Sequence, residues 1–130
     1  NFLELLNLAI EKIGFENKNK IDINIDVKTK IYGDKELWII CFKNLIDNAL
    51  KYASSFPILI SVEKNKVSIL NNGAKLSKDF EYYLKPFTQE LSQRDGFGLG
   101  LSIVKKIIDR HNFKLEYSHK NGMNIFKIIF

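Results

Sequence analysis

Cysteine occurs once in these 130 residues, as Cys41. That excludes an internal disulfide framework and is compatible with a reducing compartment. Cys41 lies in an apolar helical run, so a buried structural thiol is expected there. No Cys/His cluster has zinc spacing. No apolar run approaches the roughly 20 residues that span a membrane, and no secretory leader is present. Arginine is nearly absent too: only Arg94 and Arg110 occur among 20 basic residues. The bidentate readers of bases are therefore scarce. A net charge of +5 and a pI of about 9.2 invite a nucleic-acid partner. The lysines are scattered, however, and read as a solvated surface with no nucleic-acid role.

What is present suits an ordinary globular protein, at 45% hydrophobic and 27% charged residues. The length allows one compact domain over residues 1–130. The chain starts at Asn1 rather than methionine, so it reads as a fragment of something longer.

"FLELLNLAIEKI" (2–13) has apolar residues at helical spacing, with Gly14 as a stop. "IDINIDV" (21–27) alternates strictly and predicts a strand. Asp34 is a good N-cap for a long helix running to about Ala53. "PILISVE" and "KVSIL" flank a hairpin candidate at Lys64-Asn65-Lys66. Ser77 is placed to cap a short helix, "KDFEYYL". Residues 85–97 lack periodicity and read as a loop. A helix returns from Leu99 to Arg110, and two strands around Asn121-Gly122 close the chain. This order predicts an α+β fold: a two-layer sandwich of a mixed, mostly antiparallel sheet of about five strands on about three helices.

Three stretches carry chemistry. In the long helix, Asn44, Asn48 and Lys51 share one flank of the apolar face, with Cys41 and Tyr52 between. Asparagine is a mediocre helix former, so stacked asparagines at a core rim need partners. The stripe is either a half-exposed polar flank or a pocket edge. An amide carbonyl suits magnesium, and a lysine one turn on suits phosphate. In "DGFGLGLSIVKKIIDRH", Gly96, Gly98 and Gly100 alternate before an amphipathic helix. Glycines admit close backbone approach, and a helix N-terminus attracts anions. The spacing is neither the dinucleotide fingerprint nor a P-loop. A flexible helix entry is the bland alternative. In "VSILNNGAKL" (67–76), an Asn-Gly turn follows an alternating run. It is either a plain turn or the border of a site.

Together these stretches resemble the catalytic ATP-binding domain of sensor histidine kinases, within the gyrase, chaperone, kinase and mismatch-repair ATPase group. "NLIDNALKY" (44–52) is similar to that family's asparagine box, "GFGLGLSIV" (96–104) to its later glycine box, and "LKPFTQ" (84–89) to its phenylalanine box. "NNGAKL" (71–76) sits where the family has Asp-x-Gly-x-Gly. The resemblance covers nearly the whole chain and implies the Bergerat ATP-binding fold. It implies ATP and Mg2+ as ligands, with Asn48 on the metal and Asn44 beside it. Lys51 would meet phosphate, and Tyr52 the base or ribose. Asn71, Gly73 and Leu76 would border the adenine. Gly96, Gly98, Leu99, Gly100 and Leu101 would supply phosphate contacts. Phe87 would anchor a lid at about 85–97, with Arg94 reaching toward the γ-phosphate.

The implied activity is transfer of the γ-phosphoryl group to a histidine on an adjacent dimerisation domain, then relay to a response-regulator receiver domain. The parent would be a homodimer anchored in the inner membrane, with this domain cytoplasmic. Water-hydrolysing members of the group carry a glutamate where Asn44 stands. Asparagine cannot take a proton, so the chain is not built to activate water. His111 and His119 do not stand in acceptor-like settings.

Some positions depart from the family. Asn71 replaces the adenine-reading aspartate, and loss of a charge-assisted bond costs about 1–2 kcal/mol. Lys75 replaces a glycine. His111-Asn112-Phe113 stands for His-Gly-Gly, and Met123-Asn124 lies near the family's final Gly-Thr. A degenerate scaffold that binds nucleotide weakly is thus one alternative. A serine kinase of the anti-sigma-factor type is another.

Overall fold

The computed structural model describes residues 1–25, 29–85 and 98–130. Helix α1, Phe2–Ile13, starts where the Asn1 side chain accepts a hydrogen bond from the Glu4 N–H at 3.0 Å. It ends at Gly14, whose φ of 136° favours glycine. A 3₁₀ segment, Phe15–Lys20, leads into strand β1, Ile21–Ile25. The expected strand reached Val27, which lies outside the described residues.

Helix α2, Lys35–Tyr52, is capped as its sequence predicts: the Asp34 carboxylate accepts from the Leu37 N–H at 3.2 Å. Strands β2, Ile58–Glu63, and β3, Lys66–Asn72, form the first hairpin, turning at Lys64-Asn65. Helix α3, Phe80–Leu84, is shorter than expected. Ser77 does not cap it. Its N-cap position is Asp79, without a side-chain cap bond, and the Ser77 hydroxyl pairs instead with the Tyr83 hydroxyl at 3.1 Å. Helix α4, Gly98–Arg110, precedes strands β4, Lys114–Lys120, and β5, Met123–Ile129. Asn121 and Gly122 join these two strands with φ of 53° and 74°. Positive φ at both residues is what a tight type I′ hairpin turn requires.

The sheet order is β1-β2-β3-β5-β4. β1 runs parallel to β2, and the remaining pairs are antiparallel. Buried residues alternate along β2 and β5, so one sheet face is covered and the other is not. The covered face meets α1, α2 and α4 through Phe2, Trp38, Phe42, Leu101 and Ile108, packed over Ile60, Ile69 and Phe126. This is the expected two-layer α+β sandwich, with the 3₁₀ segment added. Among the described residues no helix is long and apolar enough to cross a membrane.

His111 fastens the far end of α4 to the entry of α2. Its Nδ1 donates to the Ile107 carbonyl at 2.8 Å, and its Nε2 accepts from the Asp34 N–H at 3.3 Å. The ring lies 4.5 Å from Trp38, centroid to centroid. Gly33 passes so close that a Cβ there would stand 2.3 Å from this ring.

Candidate functional site

The asparagine stripe and the glycine-led helix converge. The Asn44 Nδ2 donates to the Ile40 carbonyl at 2.8 Å, which leaves its Oδ1 free of that bond. A Cβ placed on Gly100 would lie 3.5 Å from that Oδ1 and 3.7 Å from the Asn48 Nδ2. Gly100 is in the first turn of α4, where helix N–H groups lack intrahelical partners and the potential is positive. Two amides of one helix thus face the anion-attracting end of another.

Asn48 is the anomaly. It is 4% exposed, and its Nδ2 has no hydrogen-bond partner among the described residues. A buried unpaired amide costs about 1–3 kcal/mol. A half-turn of the amide exchanges its nitrogen and oxygen, and in that orientation the oxygen would be the atom offered to a cation. Among the described residues no group of three His, Cys, Asp or Glu side chains could hold a metal. An ion beside Asn48 would therefore complete its shell with phosphate oxygens and water, as magnesium commonly does.

The second end of the site lies one helical turn beyond Asn48, about 6 Å along the α2 axis. Tyr52, Ala74, Lys75, Leu76, Tyr83 and Asn124 line a cavity of about 200 Å3. A whole drug-sized ligand needs roughly 300–1,000 Å3, so this cavity suits one end of a larger molecule. A wider groove of about 530 Å3 runs between α1 and α2, edged by Glu11, Lys12, Lys35 and Glu36. Those charges balance and do not converge, which makes it a poor candidate.

Gly73 borders the cavity region. A Cβ on it would stand 2.7 Å from the Tyr52 carbonyl oxygen, so glycine is what lets the strand end approach α2. Asn71 is 1% exposed, and its Nδ2 donates to the Asn72 carbonyl at 3.2 Å. Asn71 and Asn124 are cross-strand partners on β3 and β5, and both amides point toward Gly73.

Asn44, Asn48 and Gly100 are thus brought together, and Tyr52, Asn71, Gly73 and Leu76 gather at the other end. Lys51 is exposed and pairs with Asp47 at 3.2 Å. The Leu101 side chain is in the core, and Gly98 and Leu99 open α4. Phe87, Arg94 and Gly96 lie outside the described residues. Sequence does not single out Tyr83, Tyr117 or His119 for the site, and it marks Asn124 only as a departure from the family. The available signal was phase: Asn124 shares the inward register of Phe126 and Ile128, where a polar residue needs a partner.

Two groups have shifted ionisation. Burial pushes the Cys41 thiol up, beyond the ordinary thiol range. Burial also raises the Tyr117 hydroxyl, against a smaller lowering from the Leu76 N–H.

Residues 33–130 match the family described as histidine kinase-, DNA gyrase B-, and HSP90-like ATPase. The chain is 36% identical over 100 residues to the sensor histidine kinase ArsS of Helicobacter pylori, covering 75% of this chain and 23% of that one. It is 32% identical over 118 residues to the adaptive-response sensory kinase SasA of a Synechocystis strain, covering 80% and 30%. The chain therefore spans less than a third of either relative. The fold is similar to the catalytic domain of histidine kinase ThkA, with a TM-score of 0.74 at 24% identity over 98% of this chain and 92% of that one. The chain belongs to the histidine kinase-, DNA gyrase B- and HSP90-like ATPase family, as the catalytic ATP-binding domain of a histidine kinase.

Proposed function

We propose that the chain holds Mg-ATP between α2 and the N-terminus of α4 and delivers the γ-phosphoryl group to a histidine on a neighbouring helical dimerisation domain. That histidine then serves a receiver-domain aspartate. The observation that carries this reading is the unpaired, buried Asn48 amide facing Gly100.

Each residue has a part. The Asn48 amide oxygen would ligate magnesium, and Asn44 Oδ1 would hold a bound water or share the ion. Magnesium, when bound, neutralises phosphate charge and orients the chain of phosphates. The first-turn N–H groups of α4, from Gly98 to Leu101, would bind phosphate oxygens. Lys51 would exchange Asp47 for phosphate. Tyr52, Gly73, Leu76 and Asn71 would border the base. Phe87 and Gly96 belong to the lid in this reading. Asn44 accepts no proton, so the phosphoryl group is kept for an acceptor rather than given to water. Positioning and charge neutralisation then supply the catalysis. In this reading the domain is cytoplasmic, one part of a longer dimeric and membrane-anchored protein.

The test is calorimetric titration with a non-hydrolysable ATP analogue and Mg2+. We expect binding by the wild type and at least about a tenfold loss in Asn48→Ala, equivalent to about 1.4 kcal/mol. The melting temperature should hold within a few degrees, because the substitution removes an unpaired amide. Unchanged affinity removes Asn48 from the metal site. Labelled ATP supplied with the acceptor domain should then yield acid-labile phosphohistidine. A chain that binds no nucleotide favours the scaffold alternative, for which the amide at Asn71 is the supporting observation.

A further inference from the structure

We propose that Tyr117 and Asn124 are positioning residues that set the width of the base end of the nucleotide site. This deepens the reading above and rests on it. Residues 73–79 form neither helix nor strand. Backbone ladders therefore do not place this segment, although Ala74, Lys75 and Leu76 wall the cavity. Hydrogen bonds from the closing hairpin do it instead, all but one of them made by side chains. The Asn124 Nδ2 donates to the Ala74 carbonyl at 2.9 Å. The Tyr117 hydroxyl donates to the Asn124 Oδ1 and accepts from the Leu76 N–H at 3.1 Å. His119 Nε2 donates to the Gly73 carbonyl at 2.9 Å, and the Gly73 N–H donates to the Gly122 carbonyl at 3.0 Å.

The hydrogen bonds run in one consistent direction: Leu76 N–H to Tyr117, Tyr117 to Asn124, Asn124 to the Ala74 carbonyl. The Tyr117 hydroxyl is used as donor and acceptor, and both ends of the Asn124 amide are occupied. Asn124 is only 3% exposed, so its amide would be costly without these partners. Ala74 and Leu76 are fixed on either side of Lys75, whose exposed side chain is left at the cavity mouth. Leu76 and Tyr52 both line that cavity, so where the bridge holds Leu76 decides how much room a base has beside Tyr52. A contact made by two strands far along the chain thus sets the shape of a wall they do not belong to.

Tyr117→Phe isolates the effect. The ring keeps its neighbours, with Phe80 at 5.3 Å and Phe126 at 5.1 Å between centroids, and only the hydroxyl goes. Calorimetry should compare the Mg2+ complexes of the ATP analogue and of tripolyphosphate, which has no base. We expect the variant to bind the analogue about five- to tenfold more weakly, the worth of about one hydrogen bond. Tripolyphosphate affinity should stay unchanged. Hydrogen exchange at the Leu76 amide should accelerate, with the Ile69 amide of β3 unaffected. Asn124→Ala, which frees Ala74, should move the same affinity ratio in the same direction. A merely structural role would lower both affinities together, and that outcome overturns the proposal. So does an unchanged ratio. If the wild type binds the analogue no better than tripolyphosphate, there is no base end to position, and the inference fails while the phosphate half of the site stands. If it binds neither, the nucleotide reading itself fails.

Discussion

At the scale of single residues, Asn71 shows why a substitution within a motif is not read correctly in isolation. By sequence it is an aspartate replaced by an amide, and the expectation is a lost bond to adenine. In the structure its NH2 group is already engaged with the Asn72 carbonyl in a buried setting. Restoring the carboxylate would remove that donor and set two acceptors against each other. Asn71→Asp should therefore destabilise the ligand-free chain by about 1–3 kcal/mol, read as a lower urea midpoint. An unchanged or higher midpoint would show that the Asn72 carbonyl does not depend on this amide. Asn71 stands opposite Asn124, which is itself held by the Tyr117 hydroxyl, and local sequence does not reveal that arrangement. Asn48 is the opposite case. Its helical phase alone put it at the rim of the core face, and the structure adds that its amide is left unpaired there.

Among elements, legibility followed locality. The α2 cap at Asp34, the stop at Gly14 and both hairpin turns depend on residues a few positions apart, and they could be read directly. The 3₁₀ segment, the parallel pairing of β1 with β2 and the replacement of the Ser77 cap by a Ser77–Tyr83 pair depend on contacts that local periodicity does not encode. Two glycines separate local from long-range cost. Gly122 has φ of 74° and open space around its missing side chain, so Gly122→Ala should cost only the left-handed strain, about 1–2 kcal/mol. Gly33 has φ of 127°, and its Cβ would also strike the His111 ring at 2.3 Å and the Trp38 Nε1 at 2.9 Å. Gly33→Ala should be the more damaging of the two, because it displaces the His111 bond to Asp34 as well. Paired thermal melts check the order; equal losses would mean that the α2–α4 corner is soft.

For the whole molecule, one covered sheet face and one helical layer place the site at an edge of the core, between α2, α4 and the end of β3. The sandwich was legible because mixed helical and alternating segments leave few other layerings. The cavity was not, since its walls come from three separate elements and the segment between β3 and α3. The same layering buries Cys41 completely and holds its thiol protonated. In the unfolded chain that thiol ionises near its ordinary pKa of about 8.5. Above that pH the folded state binds one more proton than the unfolded state, so stability falls as pH rises, by up to about 1.4 kcal/mol per pH unit. The contribution is fully present below about pH 8.5 and is lost progressively above it. The raised pKa of the Tyr117 hydroxyl acts in the same direction at higher pH. The informative quantity is the difference between variant and wild type. Urea unfolding between about pH 8 and 10 should show a shallower loss in Cys41→Ala than in the wild type. Parallel slopes would mean that the thiol is reached by solvent in the native state and that the core around α2 opens more readily than its packing implies.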